Sequence, residues 1–416
     1  MIQAPKGTYD VLPQDMERRR TLANHAERIL GAAGYRRIET PVFESTELFA
    51  RGVGEATDIV QKEMYSFDDG GGRSLTLRPE GTAPVCRAYL EHGMHKLAPP
   101  VKLWYLSSFF RAENPQRGRY RQFWQVGAEA IGSESPETDA ELIVLLAELL
   151  DATGVKGTRL RLASLGQPET RGQYREELTA YLRAHEDELS DEVRARIDLN
   201  PMRAFDASDR GTQAVMASAP KLLDALSSED AEHFAEVRAL LDVAGVPYEL
   251  DPTLVRGLDY YTRTLFEFTS DALGAQSGVG GGGRYDRLIE QLGGRPTPGI
   301  GWAAGLERIL LAAPEQPTAP EIVDVLVTVA DRENRTAHLA AFELAREARR
   351  AGLAAQLELS GRSLKSALKH ADRIAARYVA IVNDGDQTSL KDMTSGEQGE
   401  MAISAAIAAI LRGHRL

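Results

Sequence analysis

Three stretches of the chain concentrate residues that could do chemistry. "FFRAENPQRGRYRQF", residues 109–123, gathers Arg111, Arg117, Arg119 and Arg121 around Glu113. So many guanidiniums suit an anionic ligand such as a triphosphate, because a planar fork binds phosphate oxygens in pairs; a solvated, charged hairpin is the plainer use. "VRGLDYYTR", residues 255–263, sets Arg256 and Asp259 beside Tyr260 and Tyr261, just before the apolar run "TLFEF". In "LTLRPEGTAPVCRAYLEH", Glu80 and Thr82 stand at the head of a helical pattern. There they serve either as a helix cap or as acceptors for an ammonium group. The cluster Gly280 to Gly283 in "GVGGGGRYD" either lets a backbone approach a ligand or forms a turn. It is not a Walker loop, since no Gly-Lys-Ser/Thr follows. Arg308 in "GLERIL" opens a helix, a place for a surface charge or an ion pair as much as for a ligand.

The elements that must position these residues are legible from periodicity. Leu22, Ala26, Ile29, Leu30 and Ala33 recur at helical spacing over residues 14–33, and Gly34 supplies a stop. "YRRIETPVFE" is a strand candidate whose Pro41 belongs at an end, an edge or an interface. "VKLWYLSSFFR" and "RQFWQVGAEAIG" flank "AENPQRG" and read as two antiparallel strands with a charged connection. Between Gly166 and Leu250 the composition turns to Glu-, Arg- and Ala-rich helix. Strand-like "RTLFEFTS" follows, then the glycine cluster, then "PGIGWAAGLERILLAA", which combines a Gly-rich turn with a helix. "PEQPTAPE" carries Pro314, Pro317 and Pro320 and reads as a stiff linker. Beyond it strand and helix alternate to the end, the pattern of a compact α/β domain.

The chain has 416 residues, which suggests two or three domains. Its opening "MIQAPKGTYDVLPQDMERRR" has no apolar core, and the longest greasy run, "LIVLLAELL", is short and contains Glu148. The expectation is a soluble cytoplasmic protein with no membrane partner. The single cysteine, Cys86, excludes an internal disulfide and a multi-cysteine zinc site. A formal charge of -12 argues against extensive phosphate contact, but from Glu321 onward thirteen basic side chains meet thirteen acidic ones. That tail is near neutral, so net charge leaves a local nucleic-acid surface open.

Taken in order, these segments resemble the class II aminoacyl-tRNA synthetases, and among them the histidyl-tRNA synthetase family. "GYRRIETPVFE" is similar to motif 1, "LSSFFRAENPQRGRYRQFWQVGAEAIG" to motif 2 and "PGIGWAAGLERILL" to motif 3, while "VRGLDYYT" and "GGGRYD" resemble two histidine-specific motifs. The resemblance runs from "PKGTYDVLP" to "SLKDMTSGEQGEM".

The resemblance implies an α+β catalytic module on an antiparallel sheet (1–165 and 251–313), a helical insertion (166–250), a linker (314–321) and a C-terminal α/β anticodon-binding domain (322–416). The implied reaction joins histidine to ATP as histidyl-adenylate, releases pyrophosphate, and passes histidine to the 3′-end of tRNA(His). Arg111 and Arg256 are the implied catalytic cations. For ATP the implied residues are Arg111 at the α-phosphate, Glu113 and Phe123 at the adenine, Arg119 at the bent triphosphate and Arg308 at the γ-phosphate. For histidine they are Glu129 and Tyr261 at the ring, Glu80, Thr82 and Gln125 at the amino group, Arg256 at the carboxylate, and Tyr260 and Tyr285 as walls. Mg2+ is implied as a companion of ATP, its protein ligands unassigned, and a homodimer through motif 1. Trp124 and Trp302 are bulky departures from the family pattern. The rival within the same ancestry is a histidine-sensing regulatory subunit of ATP phosphoribosyltransferase. Such paralogues typically lose the arginine of "VRGLDYYT" and the C-terminal tail, both present here.

Overall fold

The computed structural model describes residues 2–54, 57, 59–254, 258–274, 277–314 and 323–413. The chain forms two compact units, Met1–Gln316 and Pro317–Leu416.

The first unit is organised on one eight-stranded sheet. In spatial order its strands are Arg36–Arg37, Val101–Phe110, Gln122–Ile131, Gly299–Gly305, Gly278–Arg284, Thr262–Ser270, Thr158–Ser164 and Tyr248–Leu250. The six central strands pair antiparallel, and only the two short outer strands pair parallel with their neighbours. One face packs on four helices, Pro13–Ala32, Pro136–Ala152, Ser228–Ala244 and Leu306–Ala312, in a cluster that includes Leu30, Trp104, Leu142, Leu146, Val237, Phe266, Trp302 and Ile309. The other face carries Tyr105, Phe109, Tyr260, Tyr261, Leu265 and Tyr285. Its cluster runs on into Tyr174, Leu178 and Leu182 of the helix Pro168–Ala184.

Two expectations need correction. The glycine cluster is a central strand and not a turn, and "GIGWAAG" is a strand ahead of its helix. Both strands run at close quarters: a Cβ on Gly282 would lie 1.9 Å from the Gly301 carbonyl oxygen and 2.6 Å from Trp302 Cα. Glycine here answers a packing demand between backbones, a strand use the local sequence does not distinguish from a turn. "YRRIETPVFE" does not make one strand. Arg36–Arg37 joins the large sheet, Phe43–Ser45 joins a separate three-stranded sheet with Tyr65–Asp68 and Ser74–Leu77, and Pro41 lies between them. The missing ladder donor of proline fits that break.

The second unit has a five-stranded sheet ordered Ala355–Leu357, Val323–Val329, Ala376–Asp384, Gln387–Asp392, Gln398–Ala402. The first three strands are parallel and the last two form an antiparallel hairpin. Val323–Val329 is buried along its whole length, as a strand covered on both faces must be. The helix Arg335–Arg350 covers one face and Leu364–Arg373 the other. The closing hairpin has no counterpart in the strand-helix alternation read from sequence, because "QTSLKDMTSGEQGEMA" is polar on both sides of its turn. The Asp392 side chain makes that turn, accepting from the Thr394 and Ser395 amides at 2.7 and 3.1 Å. No helix among the described residues is long and apolar enough to cross a membrane.

Candidate active site

Side chains alternate along a strand, so one face of Gln122–Ile131 collects Phe123, Gln125, Gly127 and Glu129. The opposite face sends Trp124, Val126, Ala128 and Ala130 toward the helices. Trp302 of the neighbouring strand packs in that same cluster, so neither bulky tryptophan intrudes on the site. Across the ladder Glu129 lies opposite Gly301, Gly127 opposite Ala303 and Gln125 opposite Gly305, which leaves the floor of the site without bulk.

At the inner end, Glu129 is fully buried. Its Oε2 accepts from the Tyr285 hydroxyl at 2.7 Å and its Oε1 from the Thr82 hydroxyl at 2.8 Å, with the Tyr105 hydroxyl at 3.4 Å. Burial dominates its acidity and pushes the carboxyl up to about 8, against the hydrogen bonds that favour its ionised form. Glu80 accepts from the Thr82 and Ala83 amides at 2.8 and 2.9 Å, which caps the helix Thr82–Glu91. The Tyr260 hydroxyl reaches the same carboxylate at 3.5 Å. The cap and the pocket wall are therefore one group. Tyr260 stacks edgewise on Tyr261 and Tyr285 with ring centres 4.8 and 5.9 Å apart. Cys86 is buried on the capped helix, where burial and the carboxylates of Glu129 and Glu80 raise its thiol well above the usual range.

At the outer end the strand opens into a cleft of about 800 Å³ lined by Arg111, Glu113, Arg119, Phe123, Gln125, Arg161, Glu267, Gly278, Gly280, Glu307 and Arg308. Arg111 donates to the Pro79 carbonyl at 2.9 Å and lies over the Phe123 ring at 5.2 Å. Glu113 pairs with Arg111 at 3.6 Å and Arg119 at 3.3 Å. Arg308 donates to the Gly278 carbonyl, and its guanidinium is held below its ordinary basicity by burial and by the nearby charge of Arg119. Four arginines and three glutamates thus line the cleft. The Gln125 side-chain oxygen is buried between the two ends without a hydrogen-bond partner among the described residues. An acceptor so placed is costly when empty and suits a donor.

The structure brings twelve of the residues singled out in the sequence together, in two adjoining groups. Glu80, Thr82, Glu129, Tyr260, Tyr261 and Tyr285 gather at the inner end, and Arg111, Glu113, Arg119, Phe123, Gln125 and Arg308 at the outer. Arg256 lies outside the described residues. Several residues escaped the sequence reading. Glu307 accepts from Tyr9 at 2.8 Å, from Arg19 at 2.7 Å and from the Trp124 amide at 3.0 Å, which fixes the start of the helix that aims Arg308. Its adjacency to Arg308 was the available signal. Tyr105 was hidden within an apolar strand. Behind Tyr285, the fully buried Arg284 pairs with Asp139, itself held by His233 at 2.9 Å. Among the described residues no group of three His, Cys, Asp or Glu could hold a metal ion. The cleft carboxylates Glu113 and Glu267 suit a divalent ion carried mainly by phosphates.

The whole constellation has close relatives. A family model described as histidyl-tRNA synthetase matches residues 7–309, and one described as anticodon binding domain matches 324–412. The histidine--tRNA ligase of Halorhodospira halophila is 48% identical over 97% of this chain and 95% of that protein. That of Halothermothrix orenii is 44% identical over 98% of both. The crystal structure of apo S. aureus histidyl-tRNA synthetase superposes with a TM-score of 0.81 at 34% identity, covering 99% of this chain and 100% of the other. A Bacillus halodurans ATP phosphoribosyltransferase regulatory subunit/histidyl-tRNA synthetase shares the fold, with a TM-score of 0.65 at 22% identity over 92% of this chain and 98% of the other. With a buried acidic pocket joined to an arginine cleft on one strand, and with likeness of this extent in sequence and structure, the chain belongs to the histidyl-tRNA synthetase family.

Proposed function

We propose that the chain is a histidine--tRNA ligase. It activates histidine with ATP to histidyl-adenylate, releases pyrophosphate, and transfers histidine to the 3′-end of tRNA(His). The observation that carries this reading is that one strand face runs from Glu129 in the buried pocket to Gln125 and Phe123, which line the arginine cleft. An imidazole is selected by hydrogen bonds to its nitrogens, and a carboxyl fixed between Tyr285 and Thr82 presents acceptors at one place. Tyr261 completes the ring contacts, with Tyr260 and Tyr285 as walls. The amino group, a donor, meets Glu80, Thr82 and the buried oxygen of Gln125.

Bound in this way, histidine turns its carboxylate toward the cleft, where it must attack an anionic α-phosphate. Fixed cations lower that barrier because they are already oriented when charge develops. Arg111 takes the α-phosphate, with Arg256 between it and the histidine carboxylate. Arg119 and Arg308 hold the outer phosphates of a bent triphosphate, and Glu113 and Phe123 receive the adenine. A magnesium ion bound with the triphosphate would neutralise part of its charge, and Glu267 of the cleft would be its protein ligand. The segment 166–250 serves as an insertion against the acceptor arm, and 322–416 reads the anticodon. The protein works as a cytoplasmic homodimer paired through motif 1.

The test is ATP–pyrophosphate exchange with each amino acid in turn and no tRNA. Histidine alone should support exchange, and Arg256→Ala should abolish most of it. A folded protein that binds histidine without any exchange would instead match a catalytically silent regulatory relative.

A further inference from the structure

Arg263, two residues beyond the tyrosine pair, is one of only two non-glycine residues with positive φ among the described residues, at 42°. Left-handed backbone is costly for a side chain and free for glycine. The arginine at this point is therefore held by its surroundings. Its backbone departs from the sheet: the register between the glycine strand and Thr262–Ser270 shifts next to it. Its amide donates to the Gly166 carbonyl at 2.8 Å, and its carbonyl accepts from Leu165 at 2.7 Å. The side chain is 7% exposed, donating from Nε to Asp230 at 2.8 Å and pairing with Glu229. Asp230 is 1% exposed and also accepts from the Ser227 hydroxyl at 2.9 Å and the Gln167 amide at 3.1 Å. Arg171 of the helix Pro168–Ala184 donates to the Tyr261 carbonyl at 3.0 Å.

These bonds share a pattern. The entry to the helical segment, at 165–171, is bonded to Tyr261 and Arg263, and the start of its helix Ser228–Ala244 is bonded to Arg263. The apolar cluster of that segment is continuous with Tyr260, Tyr261 and Tyr285.

We infer that Arg263 is a positioning residue that fastens the entry of the helical segment and the start of its helix Ser228–Ala244 to the tyrosine wall of the amino-acid pocket, so that the seating of the segment sets the affinity for histidine. The inference rests on the reading that this pocket takes histidine. Its ion pairs hold the bulge that aims Tyr260 and Tyr261, while the ATP cleft takes only Glu267 from that strand and its arginines Arg111, Arg119 and Arg308 from other elements.

Arg263→Gly gives a clean separation, since it relieves the backbone and removes the clamp. In pyrophosphate exchange by the full chain, Arg263→Gly and Asp230→Asn should each raise the histidine KM about tenfold, with kcat and the ATP KM within about twofold. Arg263→Lys should recover most of the loss. The double variant should be no worse than either single one, as expected for one network. A folded Arg263→Gly protein with unchanged histidine KM would overturn the inference, as would parallel loss in histidine KM, ATP KM and kcat. Should Arg263→Gly not fold by circular dichroism, the near-isosteric Asp230→Asn decides by the same criteria. Wild-type protein without histidine-dependent exchange overturns the functional reading itself, and this inference with it.

Discussion

Glu129 is the titratable group at the centre of the inner pocket. Its carboxyl, raised to about 8 by burial, is largely protonated at neutral pH in the empty pocket. A ring N–H donated to it favours the ionised form, so histidine binding at pH 7 should release up to about one proton. Calorimetry in buffers of different ionisation enthalpy measures this directly, and Glu129→Gln should remove the buffer dependence together with histidine-dependent exchange. The same shift has a signed effect on stability. A raised folded-state value contributes stability that is present below the ordinary 4.5 and lost as pH rises toward about 8. Unfolding midpoints of Glu129→Gln should therefore fall less across that interval than those of wild type. In the cleft, Arg308→Ala should raise the ATP KM about ten- to a hundredfold, the worth of one charge-assisted contact, while the histidine KM stays near its original value. At this scale the sequence was informative because ligand-facing residues are unusual in type: clustered arginines, a capping Glu80, paired tyrosines. Glu307, Arg284 and Asp139 were not legible, since a charge buried by a partner more than a hundred positions away looks like any surface charge.

Elements were legible where periodicity was strong and misleading where glycine was dense. The hairpin strands Val101–Phe110 and Gln122–Ile131 fall where alternation and the Asn-Pro-Gly connection put them. The glycine strands do not, because glycine in a sheet interior and glycine in a turn look the same without knowledge of what lies opposite. The two uses of glycine separate experimentally. A methyl at Gly282 would meet backbone atoms that cannot yield, so Gly282→Ala should cost about 3 kcal/mol or more, seen as a lowered midpoint in denaturant. A methyl at Gly301 would lie 1.7 Å from Glu129 Oε2. Gly301→Ala should therefore displace that carboxyl and depress histidine-dependent exchange beyond what its stability loss accounts for.

On the scale of the whole molecule, each unit encloses its own apolar clusters. A chain ended after Pro314 should then keep histidine-dependent pyrophosphate exchange and lose tRNA charging, measured side by side on the same preparation. The two-part division was visible in the proline-rich stretch at 314–321, whereas the closing hairpin of the second unit was not, its stability coming from pairing with Ala376–Asp384 instead of an apolar stripe of its own. Cys86 has a practical consequence. As the chain's single thiol, fully buried on the helix Thr82–Glu91, it is a built-in clock: a thiol-modifying reagent can reach it only when the wall of packed residues around it opens. Its labelling rate counts how often that wall opens in the native protein, and its slowing in the presence of histidine would give the energy with which the amino acid keeps the door shut.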